Sequence, residues 1–169
     1  MASTSRVLSA IVVLSLLNCF NAVPSKLVQT FCGKLTNPNS CLSALQPDPK
    51  SATVSSYHDL ATITLNLGVS NTTKSKNFLE SSKGKYNPNA VDECIKGFTY
   101  AIGTLGTALK EIDDDPESAG YDAAVAKDGA DRCVAAFKSA NIQVPPEISS
   151  RVGYVQLYAY LGNMVTENL

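Results

Sequence analysis

Apolar residues recur at helical spacing along most of this chain, and prolines mark the turns between five such stretches. The first stretch, residues 26–46, is predicted to be a short helical hairpin, because Asn37-Pro38-Asn39 interrupts it and Asn-Pro favours turn initiation. A polar-rich helix over residues 51–82 follows the linker Gln46-Pro47-Asp48-Pro49, where proline stops helix propagation. Its inward face is predicted to carry Leu60, Leu67, Asn71 and Phe78, with Tyr57, Thr64 and Gly68 beside them.

The next two helices are each predicted from a capped start and a seam of inward-facing residues. Asn87-Pro88 and Asp115-Pro116 supply the cap and the first residue of these helices. Spacings of three and four alternate along both seams, as in a heptad repeat. The first seam contains Val91, Cys94, Phe98, Ala101, Leu105, Ala108 and Ile112, and the second contains Ala119, Ala123, Ala126, Ala130, Cys133, Phe137 and Ala140. The small side chains of the second seam should let a neighbouring helix approach closely.

A last helix is predicted from Val144-Pro145-Pro146-Glu147 to about Asn168, and it is the most aromatic of the five. No segment shows the sustained alternation that is typical of strands. Four long amphipathic helices with short loops predict an all-α fold, an up-down-up-down four-helix bundle over residues 50–169. Together with the N-terminal helical hairpin, the bundle would form one domain, residues 26–169.

The first 25 residues have the features of a secretory signal peptide. Arg6 gives a short basic start, and residues 7–17 are almost wholly apolar but too few to span a bilayer, which takes about 20. Cleavage is expected after Ser25, with Ala22 as a second option, and no later segment is long and apolar enough to cross a membrane. We therefore expect a secreted protein.

Charge and cysteine content narrow the class further. Loss of Arg6 with the signal takes Lys plus Arg from 14 to 13 against 15 Asp plus Glu, which is not the basic balance of a nucleic-acid-binding protein.

Four cysteines remain, and in an exported chain they indicate two disulfides with three possible pairings. Cys32 and Cys41 flank the turn of the hairpin, whereas Cys94 and Cys133 both occupy seam positions, which favours their pairing.

The residue types that catalysis or metal binding would need are scarce. The one histidine, His58, adjoins Asp59, but adjacent residues of a helix point apart. The acids Asp113, Asp114 and Asp115 fall in a turn between helices, where solvated side chains are expected rather than a glycosidase pair. No C-x-x-C pair, nucleophile motif or phosphate-binding motif occurs. We therefore expect a protein that binds a partner and has no catalytic residue, metal or cofactor.

One modification site is suggested by the sequence. Asn71-Thr72-Thr73 is an acceptor sequence for N-glycosylation. Asn71 lies four residues after Leu67 and seven before Phe78, so it faces inward if the helix is continuous. Since a glycan could not coexist with packing on that face, we expect Asn71 to be mostly unmodified.

The cysteine-containing segments carry a resemblance to a known family. They are Phe31-Cys32-Gly33-Lys34, Asn37-Pro38-Asn39-Ser40-Cys41-Leu42, Asp48-Pro49-Lys50-Ser51-Ala52, Cys94 in a long helix, and Gly129-Ala130-Asp131-Arg132-Cys133. Together they resemble the plant invertase and pectin methylesterase inhibitor family over nearly the whole chain after the signal peptide. Gly153-Tyr154-Val155-Gln156-Leu157 is most similar to the plane-tree pollen branch, which is described as invertase inhibitors.

The resemblance implies a four-helix bundle with an N-terminal hairpin and the disulfides Cys32–Cys41 and Cys94–Cys133. It also implies a monomeric, non-catalytic inhibitor that acts in the apoplast or the vacuole. The leading hypothesis is an invertase inhibitor that blocks the substrate cleft in a 1:1 complex, because of the branch similarity. A pectin methylesterase inhibitor is the alternative, and a non-inhibitory secreted helical protein, such as a pollen allergen, is a further one.

The signatures that the family uses for its two targets are both altered in this chain. Invertase inhibitors present a Pro-Lys-Phe tripeptide between the second and third bundle helices, where this chain has Pro116-Glu117-Ser118. An acidic tip should be repelled by the carboxylates of a glycosidase. Pectin methylesterase inhibitors have a Thr before the third bundle cysteine and an acid two residues after it, where this chain has Arg132 and Ala135.

The partner-binding surface is predicted at the turn of residues 113–121, which lies where the family presents its tripeptide. The cap and the fixed dihedral of Asp115-Pro116 preorganise the turn, so little entropy should be lost on docking. An aromatic residue nearby is of the kind that anchors interfaces. The predicted binding residues are Asp115, Pro116, Glu117, Ser118 and Tyr121.

Overall fold

The computed structural model describes residues 23–169, so most of the expected signal peptide lies outside the described residues. Within this range the chain forms six α-helices and no strand. They are α1 Lys26–Gly33, α2 Pro38–Leu45, α3 Tyr57–Ser81, α4 Pro88–Glu111, α5 Pro116–Ser139 and α6 Pro146–Thr166, with a 3-10 turn at Pro49–Ala52. Helices α3 to α6 form the bundle and α1 with α2 forms the hairpin, so the predicted all-α fold is confirmed. None of the helices in residues 23–169 combines the length and apolar character that spanning a membrane requires.

Side-chain oxygens fix the start of five of these helices. Ser25, Asn37, Ser56, Asn87 and Asp115 each accept a hydrogen bond from the backbone N–H three residues further on. The capped starts that the sequence predicts for α4 and α5 are confirmed, each with proline at the first helical position. Signal cleavage after Ser25 would remove the cap of α1, whereas cleavage three residues earlier would keep it.

Helix α3 begins later than the sequence pattern predicts, at Tyr57 instead of residue 51. Asp48 accepts a backbone N–H at the start of the 3-10 turn, which ends at Ala52, and Ser56, in an extended conformation, then caps a new helix. Within the 3-10 turn the buried hydroxyl of Ser51 donates to the carbonyl oxygen of Leu45 at 2.7 Å. The linker is therefore a separate structural element that ties the hairpin to the bundle.

The buried face of α3 also differs from the predicted one. Leu60 is fully buried, but Leu67, Asn71 and Phe78 are only half-buried. The buried stripe includes Thr64 and Gly68, which the sequence places beside the predicted face. Its members are Leu60, Ala61, Ile63, Thr64, Leu65, Gly68, Thr72, Ser75 and Leu79. Small and hydroxyl-bearing residues therefore share this face with large apolar ones. Thr64 Oγ1 donates back to the Leu60 carbonyl of its own helix at 2.7 Å, whereas the buried Thr72 Oγ1 has no hydrogen-bond partner among the described residues.

The two seams of α4 and α5 are buried as predicted, with one exception. Ala140 is exposed because α5 ends at Ser139. Asn141 then adopts a left-handed φ of 53°, and the N–H of Ile142 bonds to the carbonyl of Phe137. These bonds form a Schellman motif, in which asparagine supplies the left-handed residue that more often is glycine.

Helices α4 and α5 meet backbone to backbone at Gly97 and Gly129. A Cβ atom built on Gly97 would lie 2.2 Å from the carbonyl oxygen of Gly129, and one on Gly129 would lie 2.1 Å from that of Gly97. The disulfide Cys94–Cys133 spans the same crossing, where the two Cα atoms are 4.1 Å apart. Side chains at this crossing are absent or small, which confirms the close approach expected from the second seam.

The hairpin has its own disulfide and packs on the bundle. Cys32 and Cys41 join α1 to α2, with their Cα atoms 5.5 Å apart. The hairpin contributes buried apolar side chains, Phe31 among them, to a cluster with residues of α3 and α6. Tyr158 of α6 is 2% exposed, and its hydroxyl donates to the carbonyl oxygen of Ala44 at 2.8 Å. The hairpin is thus bonded to the bundle as well as packed against it.

Candidate partner-binding site

The turn between α4 and α5 places the predicted binding residues at one end of the bundle. Ile112 is buried and anchors the turn, whereas Asp113, Asp114 and Asp115 are exposed. The N–H groups of Asp114 and Asp115 both donate to the carbonyl oxygen of Glu111, at 3.1 and 2.7 Å. The backbone of this acidic turn is therefore fixed from its α4 side.

Asp115 fixes the turn from its α5 side. Its carboxylate accepts hydrogen bonds from the hydroxyl of Ser118 at 2.7 Å and from the backbone N–H of Ser118 at 3.1 Å. These bonds, with the hydroxyl bond as the larger cause, lower the pKa of Asp115 below its ordinary value. Pro116 fixes the next dihedral as the first residue of α5. The turn is thus preorganised in the way that the sequence predicts.

A contact that the sequence did not predict ties the turn to α3. His58 Nε2 lies 2.6 Å from Asp113 Oδ1, and both side chains are about half-exposed or more. An ionised carboxylate only accepts, so the imidazole donates in this bond. Its neighbour Asp59 is further away, with 4.0 Å between His58 Nδ1 and Asp59 Oδ1. His58 therefore braces the turn. The sequence did not predict this contact because His58 and Asp113 are 55 residues apart.

A groove runs beside the turn, between the start of α5 and the end of α6. Its volume is about 450 Å³, and Glu117, Tyr121, Asn163 and Glu167 are among the residues that line it. Tyr121 is 70% exposed, so it projects from the surface instead of packing on the end of the bundle. Gly120 of α5 packs closely against α6, because a Cβ atom built on it would lie 2.7 Å from the hydroxyl oxygen of Thr166. The groove thus combines a free aromatic side chain with rigid walls.

The charged residues around this groove are acidic. Residues 111–126 contain six acids and no Lys or Arg. Asp113, Asp114, Asp115 and Glu117 are exposed, and Glu167 adds a carboxylate from α6. Such a surface attracts a basic partner and repels an acidic one.

The other altered family position lies on the outer face of α5. Arg132 Nε donates to Glu93 Oε2 of α4 at 2.9 Å, and Lys96 Nζ bonds to Glu93 Oε1 at 2.6 Å. These two bonds, chiefly the one from Lys96, lower the pKa of Glu93. Ala135 is exposed nearby. An ion network therefore occupies this face, in place of the Thr and acid that the resemblance associates with pectin methylesterase inhibitors.

Asn71 lies at the junction of the hairpin and the bundle, on a continuous α3. Its Nδ2 donates to the carbonyl oxygen of Leu67 at 3.2 Å and to the hydroxyl of Tyr158 at 3.1 Å. A glycan would replace one of these two hydrogens. The expectation of an unmodified Asn71 stays a prediction, now with a hydrogen-bonding reason beside the helical phase.

Among residues 23–169, no three His, Cys, Asp or Glu side chains are placed so that they could hold a metal ion together. The geometry defines a helical bundle, braced by two disulfides, that presents a rigid acidic turn and an exposed tyrosine. Such a surface is suited to recognising another protein.

Comparison with known proteins identifies the family. The sequence model of the plant invertase/pectin methylesterase inhibitor family matches residues 26–167, and the chain belongs to this family. No curated protein matches the sequence.

Two solved structures from Arabidopsis share the fold. One is a mutant form of a pectin methylesterase inhibitor, with a TM-score of 0.70 and 24% identity over 86% of this chain and 98% of that one. The other is a pectin methylesterase inhibitor from Arabidopsis thaliana, with a TM-score of 0.60 and 24% identity over 85% and 95% of the two chains. At this identity the likeness establishes the bundle and leaves the target enzyme open.

Proposed function

We propose that this protein is a secreted inhibitor of a plant cell-wall carbohydrate enzyme, and that the acidic turn and Tyr121 contact the enzyme. Family membership supports an inhibitor. The observation that carries the choice of surface is the 70% exposure of Tyr121 beside a turn that hydrogen bonds hold on both sides. A rigid aromatic side chain loses little entropy on binding, and such residues dominate interface energies.

The charge of the turn favours pectin methylesterase as the target. Pectin is a partly methyl-esterified chain of galacturonate units, so an enzyme that acts on it binds a polymer whose unesterified units are anionic. The cluster of Asp113, Asp114, Asp115 and Glu117 offers the same charge as the substrate. An inhibitor of this kind would occupy the substrate cleft by charge complementarity and size, in a 1:1 complex, without any covalent step.

Invertase is the second candidate, supported by a different observation. Pro116 begins α5 after a capped turn, at the position where invertase inhibitors of the family present their tripeptide. Glu117, however, stands where those inhibitors have lysine, and it is exposed at the tip. If invertase is the target, binding therefore has to come from the shape of the turn and from Tyr121 in spite of the charge of Glu117.

One substitution separates the two targets. Glu117→Lys should weaken inhibition of pectin methylesterase and strengthen inhibition of a cell-wall invertase, each by roughly tenfold, which corresponds to about 1.4 kcal/mol. Tyr121→Ala should weaken inhibition of the true target by more than Glu117→Lys does. Tyr100→Ala is the control, because Tyr100 is also an exposed tyrosine, at 46%, but lies on α4 away from the turn.

Inhibition constants of wild type and the three variants, measured for both enzymes, test whether the turn and Tyr121 contact the target. A change with Tyr121→Ala and Glu117→Lys but not with Tyr100→Ala supports the proposed surface. Wild-type inhibition by both variants on both enzymes would remove the turn from the interface.

A further inference from the structure

We propose that the cavity between the hairpin and the bundle is a binding site for a neutral mono- or disaccharide. This cavity, of about 520 Å³, opens between α2, α3 and α6. Pockets of roughly 300–1,000 Å³ are typical of small-molecule sites. It shares no lining residue with the groove beside the acidic turn, so this inference goes beyond the proposed inhibition of an enzyme.

The lining chemistry selects the class of ligand. The described residues that line the cavity include amides, hydroxyls and two tyrosines, and none of them carries a charge. An ionised ligand would lose hydration there without gaining a counter-charge, which is costly. A neutral sugar can exchange its water for bonds to amides and hydroxyls, while a tyrosine ring covers the apolar C–H face of the sugar.

The floor of the cavity is already organised. The hydroxyl of Tyr158 donates to the Ala44 carbonyl at 2.8 Å and accepts from Asn71 Nδ2 at 3.1 Å. Asn71 Nδ2 also donates to the Leu67 carbonyl, so both amide hydrogens are used inside the protein. The amide oxygen Oδ1 of Asn71 is then the group that can accept a bond from a sugar hydroxyl. Burial raises the pKa of Tyr158 to about 12, so the floor stays uncharged.

The rim provides a stacking surface and further polar groups. Tyr154 is 51% exposed on α6, one turn before Tyr158, and it lines the cavity. Asn39 and Ser43 face it from α2, and both are exposed. The disulfide Cys32–Cys41 and the Tyr158 bond hold α2 in place, so a ligand would not need to order these walls.

The test is an NMR titration of the ¹⁵N-labelled secreted protein with three probes. Sucrose and galactose should shift the side-chain amide signals of Asn39 and Asn71 saturably, with a Kd of about 1 mM or below. Galacturonate matches galactose except for its carboxylate, and it should bind at least tenfold more weakly.

Three variants locate the site. Tyr154→Ala removes the stacking ring at an exposed position and should weaken sugar binding at least tenfold. Ser43→Tyr fills the cavity from the exposed side of α2 and should abolish binding. Tyr160→Ala is the matched control, because Tyr160 is 43% exposed on the same helix but does not line the cavity.

Several results would overturn the proposal. They are the absence of saturable shifts with both neutral sugars, equal binding of galacturonate and galactose, or equal effects of Tyr154→Ala and Tyr160→Ala. A glycan found attached to Asn71 by intact mass would also overturn it, because the glycan would fill the cavity. Enzyme inhibition does not enter this test, so it succeeds or fails independently of the proposed function.

Discussion

Gly97→Ala tests the backbone contact that joins α4 to α5. A methyl group at this position would lie 2.2 Å from the carbonyl oxygen of Gly129 and 3.1 Å from its carbonyl carbon. The obstructing atoms are backbone, so no side chain can rotate out of the way. The disulfide Cys94–Cys133, one turn from Gly97, also limits how far the helices can separate.

Two opposing effects set the change in the free energy of unfolding that Gly97→Ala should cause. Alanine in a helix interior is better than glycine by about 1 kcal/mol. Overpacking costs about 1–3 kcal/mol, and a backbone obstacle next to a disulfide places this site at the upper end of that range. Gly97→Ala should therefore lower the free energy of unfolding by about 2 kcal/mol.

The same helix offers a matched control. A Cβ atom on Gly103 would have no atom within 4 Å, so Gly103→Ala should raise the free energy of unfolding by about 0.5–1 kcal/mol. Urea denaturation of both oxidised variants, with wild type, measures the difference, which should be about 3 kcal/mol. Equal stability of Gly97→Ala and Gly103→Ala would refute the close crossing.

Other changes test the bridges, the acceptor sequence and the cap of α5. Replacing Cys94 and Cys133 by alanine should lower the free energy of unfolding by about 4 kcal/mol for a sequence separation of 39, against about 3 kcal/mol for the hairpin bridge with a separation of 9. Urea denaturation checks the order, and a larger loss for the hairpin bridge would contradict the chain-entropy account. Intact mass of protein secreted from plant cells should show Asn71 mostly unmodified, and a dominant glycosylated species would mean that α3 breaks near Ser70. Because the folded-state pKa of Asp115 is lowered, its cap should stabilise α5 above the ordinary pKa of 3.8 and lose that effect as pH falls through the folded value. A carboxyl NMR titration checks this shift, and Ser118→Ala should move the pKa of Asp115 back toward its ordinary value.

The parts of the fold that depend on local sequence were predictable. Asn87-Pro88 and Asp115-Pro116 start helices because their caps and fixed dihedrals act within four residues. The seams of α4 and α5 were also predictable, since a heptad pattern of apolar residues says which face is buried. The prediction that Ala140 is buried was wrong, because the pattern does not indicate that Asn141 adopts a left-handed conformation and ends the helix.

Hydrophobicity identifies only part of the buried face of α3, which contains leucines as well as Gly68, Thr72 and Ser75. Gly68 and Thr72 are buried because they are small enough for neighbouring helices to approach, whereas the larger Leu67 and Phe78 lie at the edge. The start of α3 was also predicted too early. Asp48 and Ser56 are both residue types that cap helices, and the sequence alone does not indicate that Asp48 caps only a 3-10 turn whereas Ser56 caps α3.

The candidate site was predictable only in part. The acidic turn and the cap at Asp115 follow from adjacent residues. The bond between His58 and Asp113, and the groove that Tyr121 shares with Asn163, join residues that are far apart in sequence. Such contacts depend on how the helices are arranged in the bundle, which periodicity alone does not specify.

The most direct test of the account is an activity titration of purified pectin methylesterase and purified cell-wall invertase with the secreted wild-type protein. Increasing amounts of inhibitor are added to a fixed amount of each enzyme, and the remaining activity is measured. We predict that the activity of pectin methylesterase falls in proportion to added inhibitor and reaches its minimum at a 1:1 ratio, while invertase is inhibited more weakly. Full activity of both enzymes in the presence of excess protein would contradict the proposed function.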